Sequence, residues 1–286
     1  MIKRNLLIAI LILCSIGIIK GQTVSDSLAI VSAQWKVESP QKGIIHKYAS
    51  IPRLYQGIQS VSLIEIEPGA GLKVDIAVSD EMKETSRIAS EHRGIAAING
   101  SYFDMKRGNS VCFLKVGNQV VDTTTLSECK LRVTGAMHVH KGKIKLIPWS
   151  RQIEKEYEGE TGMVLASGPL MLKDGQICDW NSCGANFIRT KHPRSAVATT
   201  KEGKILLITV DGRFPEQAEG VNIPELAHLI RILGGEDALN LDGGGSTTLW
   251  LSGASDDGVV NYPCDNGRFD HAGERKVPNI LYITHQ

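Results

Sequence analysis

Three polar stretches interrupt an otherwise apolar pattern, and each carries residue types that bind or transform polar substrates. The first, Asn99-Gly100-Ser101-Tyr102-Phe103-Asp104, follows the apolar run from Ile95 to Ile98. The second, His192-Pro193-Arg194-Ser195, opens a segment that closes on Asp211-Gly212-Arg213. The third is Asn240-Leu241-Asp242-Gly243-Gly244-Gly245-Ser246-Thr247-Thr248. Each stands at the end of a strand-like run, where a rigid scaffold presents side chains. Asn-Gly and Asp-Gly pairs are also ordinary turn formers, and for any one stretch alone turn chemistry suffices. Three in one chain weaken the turn reading without deciding against it. The glycine run adds its own physics, because successive glycines let the backbone approach a ligand and aim N–H groups at an anion. No Gly-Lys-Ser/Thr follows that run, no G-x-S-x-G surrounds Ser246 and no H-E-x-x-H occurs. A P-loop, a nucleophile elbow and a zinc-protease helix are thereby excluded.

The elements that position these stretches read mostly as strands. Val61 to Ile66 and Leu72 to Val78 alternate, separated by Pro68-Gly69-Ala70-Gly71. Cys112 to Val121 turns at Gly117-Asn118, Val133 to Leu146 near Lys141-Gly142, and Met163 to Ile177 at Asp174-Gly175. Ala196 to Val210 turns at Glu202-Gly203, and Ala238 to Leu241, Thr247 to Leu251 and Ile280 to Thr284 complete the set. Such apolar runs bounded by Gly, Asn and Asp are hairpin signals. Two helices are predicted. One covers about Lys83 to His92 and stops at Gly94, where a positive φ costs glycine little. The other is capped by Asn222, with Pro224 in its first turn and Glu225 completing a capping box. Its apolar stripe is Leu226, Leu229, Ile230 and Leu233. Hairpins with few helices predict an α+β fold: a single domain, a mixed and mostly antiparallel sheet built from hairpins, and a few packed helices.

The 286 residues carry 32 Lys+Arg against 31 Asp+Glu, with 42% hydrophobic and 22% charged residues, the balance of a globular protein with a sizeable core. No basic excess exists to displace counterions from phosphates, so nucleic acid is not an expected partner. Lys3 and Arg4, then an apolar run from Leu6 to Ile19, then Gly21, read as a secretory leader over residues 1–21. The run is short of the roughly 20 apolar residues of a membrane span. An uncleaved anchor is the rival, favoured by Lys20 directly behind the run. Leu11-Ile12-Leu13 lacks the small residues that precede a lipidated cysteine, which argues against lipid on Cys14. Removing Lys3, Arg4 and Lys20 from 32 leaves 29 basic against 31 acidic residues, about −2, so no stable membrane contact is expected after cleavage. The location is then periplasmic, cell-surface or secreted.

A polar lead over 22–42 precedes the domain proper at 43–286. Five cysteines follow the leader; Cys178 and Cys183 are spaced for a small loop, and Cys112 with Cys129 is a second pairing that leaves Cys264 free. Reduced, buried thiols are the alternative, because sequence does not fix the Cα distance a disulfide needs. No paired C-x-x-C exists, and His138-x-His140 has the spacing of strand residues on one face, so neither metal nor cofactor is called for.

The set Asn99-Gly-Ser-Tyr-Phe103, Ser167-Gly-Pro-Leu170, His192-Pro-Arg-Ser195, Val210-Asp-Gly-Arg213, Glu225-Leu-Ala227 and Asn240-Leu-Asp-Gly-Gly-Gly-Ser246 resembles the phosphodiester glycosidase family. The motifs keep the family's order across about residues 43–284. Ser167 stands where a glycine is expected and Ser195 where threonine is common.

That resemblance implies an exported glycosidase that hydrolyses the bond between the anomeric carbon of a sugar, N-acetylglucosamine-like, and a phosphodiester. Breaking this bond passes through an oxocarbenium-like state that a carboxylate stabilises or traps. The leaving group is a weakly basic phosphate, so anion binding matters more than strong acid help. Asp242 is then the carboxylate at the anomeric centre, with Asp211 and Glu225 as candidates for orientation or proton transfer. Arg194, the backbone of Gly243, Gly244 and Ser246, and Thr247 would bind the phosphate side, while Asn99 and Asp104 would bond sugar hydroxyls or fix their loop. For each acid, turn or helix capping is the competing role, and Glu225 already has one. A non-catalytic binder of surface polysaccharide or glycan phosphate is the alternative function, and an unrelated secreted hydrolase the third.

Overall fold

The computed structural model describes residues 23–117, 119–157, 159 and 161–286; the expected leader, Cys14 and Asn118 of the Gly117 turn lie outside these residues. Along the chain the elements are α1 (Val24–Val31), β1 (Lys36–Gln41), β2 (Ile44–Leu54), β3 (Gly57–Ile66), β4 (Leu72–Lys83), α2 (Thr85–Glu91), β5 (Ala96–Asn99), β6 (Leu114–Val116), β7 (Gln119–Asp122) and α3 (Leu126–Leu131). They continue as β8 (Gly135–His140), β9 (Lys143–Pro148), α4 (Arg151–Lys155), β10 (Met163–Ser167), β11 (Leu170–Lys173), β12 (Gln176–Ile177), α5 (Ala185–Arg189), β13 (Arg194–Thr200) and β14 (Ile205–Val210). Last come α6 (Ile223–Ile232), β15 (Gly235–Asn240), β16 (Leu249–Leu251) and β17 (Val277–His285).

These strands form three antiparallel sheets in one α+β domain. An eight-stranded sheet has the order β1-β2-β3-β14-β13-β15-β11-β12; a five-stranded sheet runs β7-β6-β10-β8-β9 and a four-stranded one β16-β5-β17-β4. Alternation along each strand divides the apolar residues between two faces. On β13, Ala196 and Ala198 face the layer of α1 and α6, with Leu226, Leu229 and Ile230. Val197 faces the opposite way, into a core shared with Ile98 of the four-stranded sheet and Leu146 and Leu165 of the five-stranded one. Helices therefore cover one face of the large sheet and the two smaller sheets cover the other.

Several expectations change in three dimensions. The Pro68–Gly71 turn does not make a hairpin of its flanking strands, because β3 belongs to the large sheet and β4 to the four-stranded one. The Asp174–Gly175 hairpin is confined to β11 and β12, while β10 pairs with β8 and β6 in another sheet. The anticipated lead is folded from residue 24 on. Thr23 and Asp26 form a capping box that starts α1, and β1 pairs with β2 as an edge strand. The expected Cys178–Cys183 disulfide is absent, and all five described cysteines are free thiols. The Cys178 N–H is bonded to the Met171 carbonyl and the Cys183 N–H to the Trp180 carbonyl. Trp180 Nε1 in turn donates to the Leu170 carbonyl at 2.9 Å, so backbone and indole contacts hold this loop without a covalent bridge.

Candidate active site

The glycine run is built where β15 leaves the large sheet. Ala196 lies opposite Asn240 in the β13–β15 ladder, and the same antiparallel register carried two residues further sets Arg194 opposite Asp242. Backbone bonds from Leu241 N–H to the Ser195 carbonyl and from Gly244 N–H to the Pro193 carbonyl prolong the pairing. Across the sheet junction, Asn99 at the end of β5 donates through Nδ2 to the Asp242 carbonyl at 2.6 Å, and the Asp242 N–H is bonded to the Gly100 carbonyl. Asn99 Oδ1 accepts the Ser195 hydroxyl at 2.6 Å and the Thr248 N–H. Asn99 thus ties three polar stretches into one frame.

Close approach explains the glycines. A methyl group on Gly243 would lie 2.6 Å from the Pro193 carbonyl oxygen. Gly244 has φ +63°, and a methyl there would lie 2.9 Å from Arg213 Nη2. On Gly245 it would collide with the Asp265 carboxylate and the Arg275 guanidinium, which are themselves paired. The run is thus walled by Arg213 and by the Asp265–Arg275 ion pair.

Asp242 stays partly open to solvent. Burial pushes its carboxyl above the usual range; the nearby Ser246 hydroxyl, Arg132, the Gly243 N–H and Arg275 act in the opposite direction. The positive charges of Arg132 and Arg275 offset part of that burial cost. Arg132, at the end of α3, is bidentate to Glu128, with Nε 2.6 Å and Nη2 3.1 Å from its oxygens, and its guanidinium stacks 3.6 Å above the Tyr102 ring. Burial acts against the Arg132 charge, but Tyr102, Glu128 and Asp242 outweigh it, so its pKa is raised. Tyr102 is buried, donates to the Gly168 carbonyl at 2.6 Å and accepts Asn240 Nδ2 at 2.7 Å. The Ser167-Gly-Pro stretch is thereby drawn to the same frame. Among the described residues, the buried hydroxyls of Thr247 and Thr248 lack hydrogen-bond partners. Such groups cost about 1–3 kcal/mol each and call for a specific reason in a native fold.

The remaining expected site residues are placed differently. Arg194 is 2% exposed, and its guanidinium donates to the carbonyls of Val221, Phe187 and Thr190 at 2.9–3.1 Å while lying 4.8 Å over the Phe187 ring. Burial pulls it down to about 10. Asp211 is fully buried and accepts the Ser60 hydroxyl at 2.6 Å, Asn261 Nδ2 at 2.9 Å and the Tyr262 N–H at 3.0 Å. Burial pushes it up to about 6. Glu225 completes the α6 capping box with Asn222. Asp104 accepts the N–H groups of Lys106 and Arg107, which cap an exposed turn and hold its carboxyl below the usual range. Of the three acids proposed for chemistry, Asp242 is the one set among arginines.

The motif blocks pointed to neither Arg132 nor Arg275. Their residue types carry no periodic or glycine-linked signal, although Glu128 and Arg132 do have the i,i+4 spacing of a helical ion pair.

Residues 92–284 match the phosphodiester glycosidase family. The chain belongs to that family. Among curated members, the mouse N-acetylglucosamine-1-phosphodiester alpha-N-acetylglucosaminidase is 34% identical over 82 residues, which is 29% of this chain and 15% of the mouse protein. The bovine enzyme of the same name is 34% identical over 80 residues, 28% of this chain and 14% of its own. The chain therefore matches a small part of each relative's length. Among solved structures, the zebrafish catalytic domain of that enzyme, auto-inhibited by its pro-peptide, superposes with a TM-score of 0.65 at 19% identity and covers 88% of both chains. A hypothetical protein from Synechocystis gives 0.59 at 15% identity, covering 88% of this chain and 64% of the other. At these identities the structural matches establish a shared fold.

Proposed function

We propose that the chain hydrolyses the bond between the anomeric carbon of an N-acetylglucosamine-like sugar and a phosphodiester, after export behind the leader at 1–21. The observation that carries this reading is Asp242, partly open and within the electrostatic reach of Arg132 and Arg275, at the head of a glycine run that Arg213 and Arg275 line. The Asp242 carboxylate would stabilise positive charge at the anomeric carbon as the C–O bond breaks. The bonding pair leaves on the phosphate oxygen, which is already weakly basic. Water adds to the anomeric carbon and loses one proton to solvent, giving the free sugar and a phosphate monoester. Arg213 and Arg275 supply cationic donors for the phosphate, a task for which planar guanidinium groups suit bidentate oxygens. Arg194 instead holds α5 and the approach to α6 against β13 and supports the site from beneath.

Export rests on the charged, apolar and small-residue order of the leader, and no helix of the described residues is long and apolar enough to cross a membrane. Incubating the purified protein with a panel of sugar-1-phosphodiesters and following the anomeric protons by NMR tests the activity. Free sugar should be released, and the first-formed anomer reports retention or inversion. Saturable binding with no release across the panel would instead identify a non-catalytic glycan-phosphate binder.

A further inference from the structure

A concave feature lies at the end of the large sheet remote from Asp242. β13 runs from Arg194 beside the glycine run to Thr199 and Thr200, and at this same far end β15 starts at Gly235 and sets Asp237 opposite Thr199. There a cavity of about 580 Å³ opens where all three sheets meet. Ile66, Leu72, Val74, Ile144, Leu146 and Ile205 line its walls, and each belongs to the inter-sheet core or packs against it. The cavity is therefore a mouth into the main apolar interior. Its size falls within the roughly 300–1,000 Å³ of sites that enclose one small molecule.

Charge at the rim is one-sided. Of the acids that line it, Asp237 is paired with Lys173 at 2.8 Å and Glu67 with Lys204 at 2.6 Å. Lys73, Lys143 and Lys145 also line the cavity, and among the described residues they form no ion pair. Lys143 and Lys145 alternate on β9 with Ile144 and Leu146, so one edge strand offers cations outside and apolar groups within. Lysine stems lie along apolar surface while their ammonium groups stay in water, which suits a ligand with an anionic head and a hydrocarbon tail.

We propose that this cavity binds a single-chain fatty acid, its carboxylate at Lys73, Lys143 and Lys145 and its tail between the sheets. Neither the glycine run nor Asp242 takes part. Isothermal titration of the purified protein with sodium dodecanoate, below its micellar concentration, provides the test. One-to-one saturable binding is expected, tightening about fourfold for each methylene added from octanoate to dodecanoate (about 0.8 kcal/mol per buried CH₂). The exposed double substitution Lys143→Glu with Lys145→Glu should weaken dodecanoate at least tenfold, and Asp242→Asn should leave it unchanged. Dodecyltrimethylammonium should bind far more weakly than dodecanoate. Absence of saturable binding, indifference to chain length, equal affinity for the cationic analogue or an unaltered lysine variant would each overturn the proposal. So would binding confined to anionic lipid vesicles with none of the free acid, which would mark a membrane-facing surface.

Discussion

Asp211 makes the stability of this fold depend on pH in a direction opposite to that of an exposed, ion-paired carboxylate. It has no exposed surface, and burial lifts it from 3.8 to about 6 despite the three donors from Ser60, Asn261 and Tyr262. Between those two values the folded protein holds a proton that the unfolded chain has released. Stability contributed by this group is thus complete below about pH 4 and is lost as pH rises through about 6. The gap between 3.8 and about 6 corresponds to about 3 kcal/mol. Asp211→Asn abolishes the titration: its carbonyl oxygen keeps the Asn261 and Tyr262 donors, and its NH₂ faces the Ser60 hydroxyl, which turns to accept. Urea unfolding followed by circular dichroism, on both proteins from about pH 4 to 7, isolates the effect. Asp242, Glu225 and Glu274, which burial also raises, are common to both proteins and subtract out. The wild-type advantage over Asp211→Asn should shrink by about 3 kcal/mol across that range. A difference that stays constant, or grows with pH, would refute the assignment of a buried, protonatable Asp211.

Asp242→Asn should keep the fold and reduce turnover of a sugar-1-phosphodiester by more than a hundredfold, roughly 3 kcal/mol in barrier; near-normal steady-state rates in a folded variant would make the carboxylate structural. Glu225→Gln retains a capping side chain and should change both stability and kcat/KM little, whereas Asn222→Ala should cost about 1 kcal/mol in chemical denaturation by uncapping α6. Gly244→Ala should cost about 1–3 kcal/mol for its positive φ and, by displacing Arg213, raise KM for phosphodiesters more than for aryl glycosides of the same sugar. Equal changes for the two substrate classes would separate Arg213 from phosphate recognition.

Much of this protein is written in local pattern. The Asn222 cap, Pro224 and the Leu226–Leu229–Ile230 stripe specify α6, because capping and helical periodicity involve residues within a few positions of each other. Alternation and Gly-containing turns likewise announce β8–β9 and β13–β14 as hairpins. The motif blocks marked Asp242 and its glycines, whose need for close approach is a property of the residue type. Tertiary structure alone decided that β3 and β4 part into different sheets, since turn residues permit reversal without choosing a partner strand. It also decided which acid meets cations. Asp211, Glu225 and Asp242 are equivalent as letters, but burial, capping and arginine neighbours separate them. Arg132, at the end of a short helix, and Arg275, in a loop, act on Asp242 from more than 100 and more than 30 residues away in sequence, respectively. A guanidinium's value to a site depends on where its chain is carried, and spacing along the sequence does not record that.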